Sequence, residues 1–181
     1  MIFSYPDNNR GVTLVELLMV VVIVGIMAGV AAPGFGSFMA ERSVTAETRR
    51  LIGALKLARS EARARGGVVT LARTSAGWDG EIRIYEDVSG ANSPFTPTDD
   101  DLIRIEESAG RSVDVVDNQG SVSSDVWISF NSQGWLAETR PIVLAICAAA
   151  LDESRGMYIE VNQVGKIRER RIADSNKGCK P

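Results

Sequence analysis

Few side chains in this 181-residue chain are equipped for covalent chemistry, and their placement narrows the choice further. There is no histidine, so serine or cysteine nucleophiles activated by histidine are excluded. The two thiols, Cys147 and Cys179, make a poor zinc site without imidazole beside them. Three consecutive carboxylates, Asp99, Asp100 and Asp101, alternate in direction along an extended chain and suit a solvated turn better than an acid–base pair. No catalytic residue, metal site or cofactor is expected, and an enzyme is disfavoured. What remains is ionic. Glu16 sits just inside the apolar run RGVTLVELLMVVVIVGIMAGVAAPGF (10–35), where an ionised carboxylate facing hydrocarbon is costly unless a cation neutralises it. The competing reading is an interfacial glutamate that snorkels to water near a helix end.

A net charge of −3 hides a strong asymmetry. Residues 79–107 carry nine acidic groups against Arg83 and Arg104, a balance of −7. Residues 162–181 hold Lys166, Arg168, Arg170, Arg171, Lys177 and Lys180 against Glu169 and Asp174, a balance of +4. Such segregation fits a docking or anion-binding surface, although a solvated face is the commoner cause.

The elements that must position these groups follow from periodicity. Leu17 to Ala40 is 24 residues without a charge. At about 1.5 Å per residue that length crosses a hydrocarbon core of roughly 30 Å. Pro33, with Gly25, Gly29, Gly34 and Gly36 nearby, is expected to kink or open the helix. A secretory signal peptide would place positive charge ahead of the apolar stretch and its cleavage site after it. Here a short polar segment ending in Gly11 comes first, which points to processing before the run and retention of the run in the product.

Beyond it, Val44, Thr48, Leu51, Leu55, Ala58 and Ala62 recur at steps of three and four, so the helix continues with one apolar stripe and ends at Gly66 and Gly67. Its seven basic residues (Arg42, Arg49, Arg50, Lys56, Arg59, Arg63, Arg65) and Glu41, Glu47 and Glu61 are expected on a solvated or subunit-facing side. The period then shifts toward two, with strands expected at 68–73, 81–86, 102–107, 112–116, 126–131, 142–147, 157–162 and 166–172. Residues 87–101 and 117–124 read as exposed loops. Without parallel alternation of strand and helix, the expected fold class is α+β: a long N-terminal helix, its first half transmembrane, packed on an antiparallel sheet. One compact head of ordinary size follows.

The junction GVTLVELLMVVVIVGIMAGVAAPGF (11–35) resembles the class III leader of type IV pilins and type II secretion pseudopilins. The resemblance implies cleavage after Gly11 by a prepilin peptidase, methylation of the new terminus at Val12, and Glu16 as fifth residue of the mature chain, where that family has its glutamate. Val12 departs from the usual Phe or Met, which bears on methylation, whereas cleavage depends on Gly11. In a filament the Glu16 carboxylate would meet the terminal amine of a neighbouring subunit, so staggered packing relieves the buried charge. ALKLARSEARARGGVVTL (54–71), ISFNSQGW (128–135) and IEVNQVGKIRERR (159–171) are similar to blocks of the GspH/FimT group of minor pilins and pseudopilins. The implied organisation is a leader (1–11), a transmembrane and assembly half-helix (12–40) and a head (41–181). The implied location is the inner membrane, single-pass with the head in the periplasm, then the filament or cell surface. Implied partners are other pilin subunits, the peptidase, the membrane and, for the FimT branch, extracellular DNA. Neither a pilus, at its tip or initiation complex, nor a secretion pseudopilus is singled out, although Pro33 and the two head cysteines lean toward the pilus.

An exported head sits in an oxidising compartment, so Cys147 and Cys179 are expected to pair, the alternative being a buried Cys147 and a free Cys179. In the FimT branch a Gly-Arg-x-Arg motif binds DNA. The corresponding residues here are Gly165, Lys166, Ile167 and Arg168, followed by Arg170 and Arg171. Lysine keeps the phosphate-attracting charge but loses the planar fork. Strand alternation puts Lys166, Arg168 and Arg170 on one face. A basic edge strand that prevents aggregation reads the same way.

Overall fold

The computed structural model describes residues 12–73, 77–78, 80–88, 95, 100–107, 113–118, 127–148 and 155–172, with the side chains of 30–34 excepted. One helix, α1 (Leu14–Arg65), is followed by eight strands: β1 (Val69–Arg73), β2 (Ile82–Glu86), β3 (Asp101–Glu106), β4 (Asp114–Asp117), β5 (Trp127–Phe130), β6 (Ile142–Cys147), β7 (Met157–Val161) and β8 (Ile167–Arg171). All eight expected strands are present, most shortened by a residue at an end. The chain divides into two compact units, Met1–Gly36 and Ser37–Pro181.

In the first unit the described side chains of residues 12–29 are exposed and, apart from Thr13 and Glu16, are apolar or glycine. α1 continues through Pro33 without a break, so the opening expected there does not occur. A single proline removes one hydrogen bond, and the surrounding turns keep theirs. The run expected to cross a membrane is described at its side chains over 17–29 and 35–40, and among the described residues no helix is long and apolar enough to cross one.

In the second unit the strands form two four-stranded sheets rather than the one expected, in the orders β3-β2-β1-β5 and β4-β6-β7-β8, with every pairing antiparallel. Periodicity shows that strands exist but not which of them share an edge, and this is why the division was not legible. The helical stripe is as expected, with Ala54 added to it: Val44, Leu51, Ala54, Leu55, Ala58 and Ala62 are buried in one core with Leu71, Ile84 and Phe130 of the first sheet and Leu144, Ile159 and Val161 of the second. Small residues at 54, 58 and 62 bring the sheets close to the helix backbone, while each fully buried Leu or Ile contributes about 1.5–3 kcal/mol. The Thr48 hydroxyl, buried in that stripe, donates to the Val44 carbonyl at 2.8 Å. Gly66, with φ 72, ends the helix as expected, its N–H donating to the Ala62 carbonyl at 3.0 Å.

Glu47 and Arg50 do not belong to a solvated face. Glu47 is 1% exposed and accepts the Arg50 guanidinium at 2.5 Å, while Arg50 also donates to the Trp78 carbonyl at 2.7 Å. Trp78, itself buried, donates its indole N–H to Asp117 at 3.0 Å. A charge can be buried only when paired and hydrogen-bonded, and this relay from α1 through the 78 turn to β4 supplies the partners.

Candidate assembly site and head surface

α1 starts on the capping-box pattern Thr13-Leu14-Val15-Glu16, of which the Thr13 half is formed, with Glu16 as the acidic residue of the first turn. The Thr13 hydroxyl oxygen accepts the Glu16 N–H at 3.3 Å, and the Leu17 N–H donates to the Thr13 carbonyl at 3.2 Å. In such a box the glutamate reaches back toward the capping residue, and its charge complements the positive end of the helix dipole. Glu16 therefore has a local role that was legible as T-x-x-E and was missed. It is also the one charged residue among 12–29, next to Val15 and Leu17, which are 65% and 61% exposed. Val12 is 70% exposed just ahead of α1, Pro33 lies within it, and Gly11 lies outside the described residues.

In the head, two turns of the same design face each other. Asn131 and Asn162 each begin a three-residue loop closed by a glycine in the left-handed region, Gly134 at φ 73 and Gly165 at φ 72. The Gly134 N–H donates to the Asn131 carbonyl at 2.7 Å, and the Gly165 N–H to the Asn162 carbonyl at 2.8 Å. Each asparagine side-chain oxygen also takes a backbone N–H across its loop, from Trp135 at 3.0 Å and from Lys166 at 2.8 Å. Arg59 of α1 joins the two turns, donating to the Gly134 carbonyl at 2.8 Å and the Val164 carbonyl at 3.0 Å, and the Leu136 N–H donates to the Gln163 carbonyl at 2.9 Å. The repeated N-x-x-G spacing could have signalled the two turns; only the fold shows that they touch.

This changes the reading of the basic segment. Gly165 is buried, and a Cβ there would lie 2.0 Å from the Gly134 carbonyl oxygen, so turn packing requires this glycine. Lys166 is exposed just before β8, with Arg168, Arg170 and Arg171 exposed on it. Arg170 forms an ion pair with Glu160 of β7, and Arg168 stands opposite Glu160 in the strand register. The alternating face expected to track a phosphate backbone is thus partly neutralised by a carboxylate of the neighbouring strand, which a linear reading cannot place. Asp101 opens β3 and accepts Arg65 at 2.7 Å; Asp99 lies outside the described residues.

Glu138 is a titratable group that sequence reasoning missed. Its Oε1 accepts the Ser129 N–H at 2.8 Å, capping the edge of β5, while Oε2 is buried with no hydrogen-bond partner among the described residues. Burial pushes its carboxyl up to about 7, against the opposing pull of the Ser129 and Glu138 N–H groups. A carboxyl raised above its ordinary 4.5 in the folded state gives stability that is complete below that value and lost as pH rises through about 7. Stability is therefore expected to fall between pH 5 and pH 8 by an amount on the order of 2–3 kcal/mol, seen as a falling melting temperature, and Glu138→Gln to flatten the slope. A variant melting curve with the same pH slope as wild type would refute the assignment.

Cys147, 8% exposed, ends β6 beside Ala145, Tyr158 and Ile172 in a second buried cluster. Cys179 lies outside the described residues.

The comparisons with known proteins bear on both units. Residues 47–165 match the family described as "Type II transport protein GspH". The chain belongs to that family. Residues 6–32 match the "Prokaryotic N-terminal methylation motif", the segment that contains Glu16. The chain is 47% identical over 51 residues to "Type IV major pilin protein PilA" of Myxococcus xanthus (strain DK1622), a match that covers 28% of this chain and 23% of that relative's length. Two crystal structures of the type IV minor pilin FimU of Pseudomonas aeruginosa (strain PAO1) share the fold. One matches at a TM-score of 0.62 and 17% identity, over 78% of this chain and 98% of that one; the other matches at 0.59 and 16%, over 75% and 98%. The chain thus has the α+β type IV pilin fold and is of the type IV pilin and type II secretion pseudopilin superfamily. Members of that superfamily are structural subunits that assemble with other subunits of pilin type.

Proposed function

We propose that the chain is a minor pilin or pseudopilin, cut after Gly11 by a prepilin peptidase, methylated at Val12 and assembled through the first half of α1. The observation that carries this reading is the exposed apolar surface of residues 12–29 with Glu16 as its one charge, under a methylation-motif match. Exposed apolar surface on this scale needs lipid or neighbouring helices to cover it. Before assembly, residues 12–40 hold the chain in the inner membrane with the head, 41–181, in the periplasm. On incorporation at or near a filament tip, Glu16 pairs with the Val12 amine of a neighbour. Gly11→Ala is expected to leave the uncut precursor in the membrane fraction; a normally sized product on an immunoblot contradicts the leader assignment.

In the oxidising compartment Cys147 pairs with Cys179 and ties down the segment after β8. A loop of this size adds stability of roughly 3–4 kcal/mol in the chain-entropy model. Cys147→Ser is expected to lower the non-reducing melting temperature toward that of the reduced wild type; identical melting of wild type and variant without reductant would disprove the bridge.

Extracellular DNA as a ligand of β8 is the second reading. It is favoured by the exposed Lys166 and Arg168 and weakened by the commitment of Gly165 and Arg170 to the fold.

A further inference from the structure

Four cations recur at steps of seven along the head half of α1: Arg42, Arg49, Lys56 and Arg63, all exposed. Seven residues advance a helix by about 10.5 Å and return it to within about 20° of the same direction. The charges therefore form a nearly straight line about 31 Å long. The buried stripe keeps the same step two residues later, at Val44, Leu51 and Ala58, and two residues turn the helix by about 200°. The line thus runs along the side of α1 opposite the core.

The fold leaves these charges uncommitted. Arg42 lies over the Phe38 ring at 4.8 Å, and none of Arg49, Lys56 and Arg63 forms an ion pair among the described residues. The carboxylates of α1 beyond residue 36 are engaged elsewhere: Glu41 with Arg155 at 3.0 Å, buried Glu47 with Arg50, and Glu61 with Arg65 at 3.0 Å. Arg49 and Lys56 open onto a groove of about 490 Å³ that they share with Ile52, Gly53, Ile167 and Glu169. Ala46, Gly53 and Ser60 follow the first three cations at the same step, about 40° further round the helix. Gly53 is exposed in the helix interior, and a Cβ there would meet nothing within 4 Å, so the chain's own packing does not require it. Small side chains beside the cations let another backbone come close.

We propose that this line docks a helix of a different pilin-type subunit, one that carries carboxylates at the same seven-residue step and lies alongside α1. A second copy does not complement it. The same face would set cation against cation, and the acidic strand β3 holds Asp101 and Glu106 about 17 Å apart, already engaged by Arg65 and Arg104. Duplex DNA fits less well, because on a line parallel to its axis each strand passes about once per 34 Å turn and meets about two of the four charges. Exposed ion pairs are individually weak, so the line sets register and rejects like neighbours more than it adds affinity. A chain that rejects its own copy along α1 enters singly between unlike neighbours, as a minor subunit must. The inference deepens the assembly reading and rests on it for the presence of a neighbour.

The test treats cells producing the full chain with a zero-length carbodiimide, which couples lysine to carboxylate, and maps adducts by mass spectrometry in the membrane and sheared-filament fractions. Lys56 reads one position of the line in the wild type, and Arg49→Lys and Arg63→Lys read its neighbours while keeping the charge. The three positions are expected to couple to carboxylates of one different pilin-type subunit, spaced about seven residues apart in its helix. Lys56→Glu should lower recovery in filaments at least about tenfold by like-charge repulsion. Its melting temperature should stay near that of wild type, since no ion pair among the described residues is lost. Adducts that are absent from both fractions, confined to this chain's own sequence or without a regular step overturn the proposal, as does undiminished recovery of Lys56→Glu. Absent adducts together with a salt-sensitive duplex-DNA gel shift that Lys56→Glu weakens also overturn it and assign the line to nucleic acid. Product size on an immunoblot reports cleavage at Gly11 independently, so failure of this contact and failure of the leader assignment are seen separately.

Discussion

Glu16→Gln is expected to insert and fold like the wild type yet to reach sheared filaments at less than about one tenth of the wild-type level. The glutamine keeps the side-chain length and the oxygen that a capping box uses, with Thr13 still accepting the N–H at position 16. It cannot neutralise a neighbour's ammonium. Breaking a buried ion pair by removing one partner strands the other charge and costs about 3–5 kcal/mol, well beyond the 1.4 kcal/mol that makes a factor of ten. Glu16→Ala removes both roles and should be no better. Comparing the two variants separates the roles: if glutamine restored filament recovery while alanine did not, Glu16 would be a helix cap and the charge-pair mechanism would fall.

Gly165→Ala should be among the most destabilising single-methyl changes in the head. Its Cβ would sit 2.0 Å from the Gly134 carbonyl oxygen and 2.8 Å from Arg59 Nε, at a φ of 72 that disfavours any side chain. The left-handed conformation alone costs about 1–2 kcal/mol for a non-glycine residue. Relieving the clash means parting the two asparagine turns, with loss of the Leu136-to-Gln163 hydrogen bond and one or both Arg59 hydrogen bonds. A total above about 3 kcal/mol follows, since each net hydrogen bond adds about 1 kcal/mol, and it lowers the melting temperature by about 6–12 °C. Gly134→Ala is the internal comparison. There the atoms nearest the new methyl belong to the Arg63 and Arg59 side chains, which can move, so the loss should be smaller. Equal melting of Gly165→Ala and wild type would refute the packing argument, and a glycine needed only for DNA would show that result.

The opposed charges of the head have a mechanical use inside the molecule as well. Arg65, in the last turn of α1, holds Glu61, Asp101 and Glu86 at 3.0, 2.7 and 3.1 Å, which fastens the helix end to β3 and β2. These three carboxylates, Glu61 first, hold the Arg65 guanidinium above its already high ordinary pKa, so it stays charged throughout the working range. Exposed pairs of this kind are individually weak, but a cation shared by three elements fixes their spacing.

The residue pattern determined most of what is local. The 3.6-residue spacing of Val44, Leu51, Leu55, Ala58 and Ala62 located the buried face of α1, and Gly66 marked its end, because a helix face and a left-handed cap depend on neighbours a few positions away. Alternation located eight strands, since successive side chains point to opposite faces whatever the strand pairs with. The methylation motif matched over residues 6–32 was equally readable, being contiguous. Tertiary structure alone decided the rest. The split into two sheets, the burial of Glu47 with Arg50 against Trp78 and Asp117, the meeting of Gly134 with Gly165 under Arg59, and the neutralisation of Arg170 by Glu160 each join residues through chain closure. Periodicity fixes which way a side chain points. Which strand or turn it then meets depends on register and edge pairing between distant segments, and that information is absent from any short window of residues.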